Sequence, residues 1–143
     1  MDVILFTIPS NNEKTSKAFS FSDRLKSFGY ALNGIKILLK TEHNARIHLI
    51  ASILALVLSY LHCISKMEWI TILFYIDLVF MAELFNSSIE YLADFVCKEE
   101  NKTIGKVKDL TAAGVLVSAF ISALIGLIIF TPNEFLDVNV YDA

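Results

Sequence analysis

The chain has 143 residues, a formal net charge of −3 and a hydrophobic share of 55%. Its mean hydropathy of +0.59 is too high for a soluble domain of this length, and no nucleic-acid partner is expected. Apolar runs of about 20 residues, which are long enough to cross a bilayer, recur along the sequence. These features predict a small membrane domain.

The chain is predicted to begin with a tail that leads into an amphipathic helix. Residues 1–18 lack the basic start and the small-residue cleavage site of a secretory signal, so we expect a mobile tail. From about residue 19 to 41, apolar residues recur at alternating steps of four and three, which is the spacing of one helix face. They are Phe21, Leu25, Phe28, Leu32, Ile35 and Leu39. A helix this polar is suited to the membrane interface, although the same spacing also occurs in core helices of soluble domains.

Three later runs are predicted to be membrane-spanning helices, at about 47–64, 69–85 and 110–130. Lipid offers no water to the backbone, so each span must close its hydrogen bonds within a helix. The predicted fold class is therefore all-α integral membrane, with an N-terminal interfacial amphipathic helix followed by three transmembrane helices. These elements make one domain of residues 19–131, and residues 132–143 form an external C-terminal tail.

The distribution of basic residues predicts the orientation of the domain. Seven of the twelve Lys and Arg residues precede the first span, and four more lie between the second and third spans. Because positive charge is retained on the cytoplasmic side, the N-terminus and the loop at about 96–109 should be cytoplasmic. We therefore expect a multi-pass protein of the plasma (inner) membrane, with its functional site at the cytoplasmic face.

Polar residues form a stripe where the second span emerges. At about 100° per residue, four of them fall within a sector of one helix about 80° wide. They are Glu83, Asn86, Glu90 and Asp94. A carboxylate near the membrane core costs on the order of 2.5–3.5 kcal/mol, which indicates a function. A solvated helix end would explain Asp94 but not the two glutamates, whose neighbours are apolar. By the topology above, Glu42 and the pair Lys108–Asp109 lie at the same membrane surface.

Such a cluster is suited to phosphoryl transfer. Magnesium takes one or two carboxylates together with substrate phosphates, a lysine neutralises charge, and a further carboxylate accepts the proton of an attacking hydroxyl. The alternative is a small transporter or channel subunit in which Asp77 and Glu83 form an intramembrane proton or cation path. Glu42 and Lys108–Asp109 favour phosphoryl transfer, because a conduction path needs neither of them.

Two segments resemble the prokaryotic diacylglycerol kinase family, which includes the undecaprenol kinases. The run from 82 to 90, Ala-Glu-Leu-Phe-Asn-Ser-Ser-Ile-Glu, followed by Lys108-Asp109-Leu110, is similar to the family's central motif. Glu42 with the trio of Asn44, Arg46 and His48 resembles the segment that precedes the family's first membrane helix. The resemblance covers about residues 20–131.

This resemblance implies an ATP- and magnesium-dependent lipid kinase. It would transfer the γ-phosphate to the hydroxyl of diacylglycerol to give phosphatidic acid, with undecaprenol as the alternative acceptor. It would assemble as a homotrimer with active sites shared between subunits. The partners implied are thus ATP, a membrane lipid alcohol and further copies of the same chain.

The resemblance also implies a role for each matching residue. Glu83 would be the general base, and Asn86 would orient groups beside it. Glu42 and Glu90 would hold magnesium on the ATP phosphates. The residues that would contact the nucleotide are Tyr30, Lys108 and Asp109.

Four further positions are interpreted separately. Asp77 stands where the family usually has a small or apolar residue, and Asn101 where some members place a histidine near the nucleotide. His43 and His48 are five residues apart, which is not a metal-ligand spacing, so they are interpreted as interfacial polar residues rather than as a metal site.

Overall fold

The computed structural model describes residues 20–131, and the predicted tails lie outside this range. The described residues form four α-helices and no strand: α1 (Phe21–Thr41), α2 (His43–Leu61), α3 (Lys66–Val96) and α4 (Lys102–Phe130). The last three are each long and apolar enough to cross a membrane. The predicted fold class, an amphipathic helix followed by three membrane helices, is confirmed.

The chain divides into two compact units, and the boundary falls within α1, after Asn33. At the start of α1, the backbone N–H of Asp23 donates to the Ser20 hydroxyl at 3.4 Å, as expected for an N-terminal cap. The unit from Gly34 onward contains the last two turns of α1 and all of α2, α3 and α4. The carboxylate cluster and its surroundings all belong to this second unit.

Helix α3 extends well beyond the apolar run that predicted it. It begins at a capping box, in which Ser65 and Glu68 exchange hydrogen bonds of 3.4 and 2.7 Å. It has 31 residues and is therefore about 46 Å long, longer than the bilayer core is thick. The polar stripe lies on the last four turns of this continuous helix, so its residues hold fixed angles to one another.

Helix α4 likewise begins before the predicted span, because Asn101 caps it. The Asn101 side-chain oxygen accepts from the backbone N–H groups of Thr103 at 2.8 Å and Ile104 at 3.4 Å. Asparagine is among the preferred residues at this position for that reason. The side-chain oxygen at this position is therefore engaged in stabilising the helix start.

The turn between α2 and α3 ends α2 in a Schellman motif. The N–H of Cys63 bonds to the carbonyl of Tyr60 at 3.3 Å, and the N–H of Ile64 bonds to that of Ser59 at 3.4 Å. Cys63 has a φ of 48°, a left-handed conformation that costs a residue with a Cβ about 1–2 kcal/mol. A glycine would adopt this conformation without the penalty.

Replacing Cys63 with glycine is therefore expected to raise the free energy of unfolding by up to about 1 kcal/mol, since the relieved strain exceeds the added entropy of the unfolded chain. Thermal unfolding of purified protein in detergent measures the change. Cys63→Ala is the matched control, because it removes the thiol but keeps the Cβ. A lower unfolding midpoint for the glycine variant than for the alanine variant would contradict the strain argument.

The three membrane helices pack as an antiparallel set, with α3 against both α2 and α4. Small residues on α4 permit close approach, and the Ser122 hydroxyl lies 3.4 Å from the backbone carbonyl of Tyr75 on α3. The outward apolar side chains remain uncovered: Leu127 is 66% exposed and Ile50 is 68% exposed. These surfaces require lipid or a neighbouring subunit, as the hydropathy predicts.

Candidate active site

The beginning of α2, the second half of α3 and the first half of α4 meet at one end of the bundle, because α3 runs opposite to its neighbours. A cleft of about 310 Å³ lies between them. Its polar lining consists of Glu42, Asn44, His48, Glu83, Asn86 and Glu90. The structure thus brings together Glu42 and three residues of the predicted stripe, although 41 positions separate Glu42 from Glu83.

Glu83 is the most enclosed charged residue of the cleft. It is only 2% exposed, and its Oε1 has no hydrogen-bond partner among the described residues. The Nε2 atom of His48 lies 3.4 Å from that oxygen. Burying a carboxylate costs several kcal/mol unless hydrogen bonds compensate, so this residue is not placed for stability. A site that acts on a polar group arriving from the membrane explains it better.

Asn86 links the middle of the stripe to its outer end. Its Nδ2 donates to Glu90 Oε1 at 2.9 Å, one helical turn away, while its buried Oδ1 has no partner among the described residues. The amide therefore fixes one Glu90 oxygen and presents an acceptor of its own. The resemblance implied that Asn86 would orient groups beside the base, which stays a prediction, and the geometry adds a direct contact with Glu90.

Glu42 and Glu90 are half-buried in the cleft, and the hydroxyl of Thr41 donates to Glu42 Oε1 at 3.1 Å. Within residues 20–131, no three His, Cys, Asp or Glu side chains are grouped closely enough to hold a metal ion alone. Magnesium commonly takes one or two carboxylates and completes its shell with phosphates and water. The two glutamates and the free Asn86 oxygen fit a metal that arrives with a nucleotide.

Lys108 lies in a second cleft of about 510 Å³, between the end of α3 and the start of α4. Its Nζ donates to the carboxylate of Asp94 in an ion pair that links the two helices. Two more lysines and two glutamates line the same cleft, so its formal charges balance. Since Asp94 is one helical turn beyond Glu90, this second cleft lies next to the carboxylate cleft rather than within it.

The other residues singled out from the sequence lie outside the carboxylate cleft or stay untested. Asp109 is exposed and lines neither cleft. Tyr30 belongs to the first compact unit, so its contact with a nucleotide stays a prediction. Asp77 is exposed on α3, and no hydrogen bond or ion pair engages it within the described part of the chain.

Three residues of this region, Asn44, His48 and Ser87, were not predicted as site residues. Ser87 is 6% exposed and its buried hydroxyl has no partner among residues 20–131. It lies at about +40° from Glu83 on the helical wheel, beside the stripe, and this angle could have identified it from the sequence. His48 was interpreted as an interfacial residue, but it faces Glu83. His48 is four residues after Asn44, so both lie on one face of α2, and this spacing could have identified it from the sequence.

An apolar cleft of about 190 Å³ adjoins the polar one, and the two share His48 and Ala119. Its walls come from α2, α3 and α4, and small side chains such as Ala51, Ala55 and Gly126 leave it open. Carboxylates and a hydrocarbon-lined space therefore meet at one point. That juxtaposition suits a substrate with a polar head and a long apolar chain.

Comparison with known proteins gives consistent matches. Residues 29–130 match the family described as prokaryotic diacylglycerol kinase. The undecaprenol kinase of Bacillus subtilis is 36% identical over 108 residues, which cover 76% of this chain and 88% of that protein. The diacylglycerol kinase of Escherichia coli K12 is 25% identical, covering 73% of this chain and 85% of its own. The Haemophilus influenzae diacylglycerol kinase is 26% identical, with coverage of 80% and 98%.

Proposed function

The chain belongs to the prokaryotic diacylglycerol kinase family and is a membrane lipid kinase, and from that premise we propose that it transfers the γ-phosphate of ATP to the hydroxyl of undecaprenol. The observation that carries the proposal is the buried Glu83, which lines the polar cleft beside His48, a residue that the apolar cleft shares. The sequence analysis favoured diacylglycerol as acceptor. The higher identity to a protein named undecaprenol kinase, 36% against 25%, reverses that order.

In the proposed reaction, Glu83 is the general base. The lipid hydroxyl oxygen attacks the γ-phosphorus, the Glu83 carboxylate takes the hydroxyl proton, and ADP leaves with the electrons of the broken P–O bond. Acids in a partly dry site are suited to this step because water competes less for their charge. The apolar cleft would accept the part of the lipid chain nearest the hydroxyl.

Glu42 and Glu90 are the proposed ligands of a magnesium ion, which would neutralise charge on the ATP phosphates. Asn86 supports this arrangement through its 2.9 Å hydrogen bond, since that contact fixes one Glu90 oxygen. Lys108 is the proposed phosphate contact from the second cleft, where its ammonium group pairs with Asp94. Tyr30 and Asp109 are retained as proposed contacts to the nucleotide on the strength of the resemblance.

The proposed active form is a homotrimer in the plasma membrane, with shared sites at the cytoplasmic face. The large apolar surface left exposed on α2 and α4 supports an assembly, because neighbouring subunits would cover part of it. Asp77 is consistent with it, since a neighbouring subunit would remove this carboxylate from lipid at a lower cost.

The test is phosphorylation of each lipid by purified protein in mixed micelles with γ-labelled ATP. Undecaprenol and dioleoylglycerol are supplied at equal mole fraction, and kcat/KM is measured for each. We expect labelled lipid with both and a higher kcat/KM with undecaprenol. A higher kcat/KM with dioleoylglycerol would show that diacylglycerol is the preferred acceptor. The absence of labelled product with both lipids would refute the proposed function.

The proposed orientation predicts which loops are accessible from each side. In a chain whose Cys63 and Cys97 are replaced with alanine, a cysteine at Glu100 should react with a membrane-impermeant maleimide only after the cells are opened. A cysteine at Lys66 should react in intact cells, because the turn before α3 is expected outside. Labelling of both positions in intact cells would contradict the three-span orientation.

A further inference from the structure

We propose that His48 is a positioning residue that donates its Nε2–H to Oε1 of Glu83 and so aims the other carboxylate oxygen at the lipid hydroxyl. The inference rests on the proposed function, in which Glu83 is the base. The two atoms are 3.4 Å apart, in a region where the side chain of His48 is 19% exposed and that of Glu83 is 2% exposed. A small movement of the ring brings the contact within hydrogen-bonding distance.

The two oxygens of Glu83 have different surroundings. Oε1 is enclosed and has no hydrogen bond among the described residues, whereas Oε2 is not among the enclosed atoms. A donor on Oε1 therefore fixes the carboxylate plane and leaves Oε2 for the substrate. Without that donor, the carboxyl group could rotate, and Oε2 would point toward the lipid hydroxyl for only part of the time. Proton transfer would then be slower, because it requires this oxygen to be aligned with the hydroxyl.

Neighbouring polar groups are less suited to this role. The Asn86 Nδ2 is already bound to Glu90, and its free atom, Oδ1, is an acceptor. The Ser87 hydroxyl is on the same helix as Glu83, one turn further on, and lines neither cleft. The His48 imidazole comes from α2 and lines both clefts, so it approaches Glu83 from the side on which the substrate would lie.

The histidine undergoes no net chemical change in this role. When Oε2 takes the hydroxyl proton, Oε1 becomes the carbonyl oxygen of a carboxylic acid, which still accepts the same hydrogen bond from Nε2. No proton passes through the ring, and the proton leaves Glu83 by exchange with water after the product departs. What His48 contributes is alignment before the transfer.

The kinetic test compares a variant that keeps a donor with one that does not. His48→Leu removes the N–H and should lower kcat by about 10–100-fold, as losing an orienting partner commonly does, with the KM for ATP unchanged. His48→Gln presents an amide N–H in a similar place and should retain kcat within about threefold of the wild-type value. His43→Leu and His43→Gln are the matched controls, since His43 is an exposed residue at the start of the same helix.

Equal losses in the leucine and glutamine variants would overturn the donor role, as would full activity in the leucine variant. Thermal unfolding of each variant separates a folding defect from a kinetic one. If the wild-type protein phosphorylates neither lipid, the proposed function fails instead, and the contact itself is then judged by a second measurement that needs no substrate.

That measurement is ¹⁵N NMR of the imidazole groups, which is practical because the chain has only 3 histidines. Replacing Glu83 with glutamine should shift the Nε2 resonance of His48 and leave that of His43 unchanged, because only His48 lies against this carboxylate. The His43 variants assign the control signal. A His48 resonance that does not respond to the Glu83 change would overturn the contact on which the proposal depends.

Discussion

Replacing Glu83 with glutamine is expected to lower kcat for lipid phosphorylation by about 10²–10⁴-fold, the usual contribution of a positioned general base. An amide has the shape of a carboxylate but cannot take the hydroxyl proton. Binding of ATP should survive, because the proposed metal ligands Glu42 and Glu90 are unchanged. The loss should therefore appear in kcat rather than in the KM for ATP, as steady-state kinetics in mixed micelles would measure.

Asp77→Asn is the matched control for this experiment. It makes the same change from carboxylate to amide on the same helix, six residues earlier, but at an exposed position outside both clefts. Its kcat should stay within about twofold of the wild-type value, as for other substitutions away from a site. Near-wild-type turnover in Glu83→Gln, or a loss of ATP binding by the folded variant, would show that the base is a different residue.

The helices could be predicted from the sequence, but the end of α3 and the start of α4 could not. The apolar run ending at Phe85 marks the part of α3 suited to lipid, whereas the helix continues to Val96. Backbone hydrogen bonding does not stop where hydropathy falls, so the helix continues through Asn86, Ser87 and Ser88 to the better helix formers Glu90, Leu92 and Ala93. Asn101 and Ser65 set the other boundaries through caps, which hydropathy does not reveal.

The membership of the carboxylate cluster was predictable because its residues share one helix face. The 3.6-residue repeat alone places Glu83, Asn86 and Glu90 on one helix face. Placing Glu42 beside them also required the membrane topology that the basic residues predict. His48 could not be paired with Glu83 in this way, since 35 positions separate them and only the packing of α2 on α3 brings them together. The sequence placed Lys108 at the correct end of the bundle. It did not predict the ion pair with Asp94, which holds Lys108 in the second cleft.

The second large effect is expected from Glu90→Gln, which should weaken the use of magnesium-ATP while leaving the protein folded. The glutamine oxygen can still accept the hydrogen bond from Asn86, which is 2.9 Å in the wild-type chain, so the local geometry is kept and only the charge is lost. At limiting magnesium, kcat/KM should fall by at least about tenfold, as is usual when a metal site is impaired.

The magnesium dependence distinguishes this defect from that of Glu83→Gln. A lost ligand weakens affinity, so raising the magnesium concentration should restore much of the activity of Glu90→Gln, because mass action refills the site. The same titration should not restore Glu83→Gln, whose half-saturating magnesium concentration should match the wild-type value, since its proposed metal ligands are intact. Raising the magnesium concentration should therefore restore activity in Glu90→Gln, whereas neither more magnesium nor more ATP should restore it in Glu83→Gln. Full activity of Glu90→Gln at limiting magnesium would remove Glu90 from the metal site and leave Glu42 as the only carboxylate proposed to hold the ion.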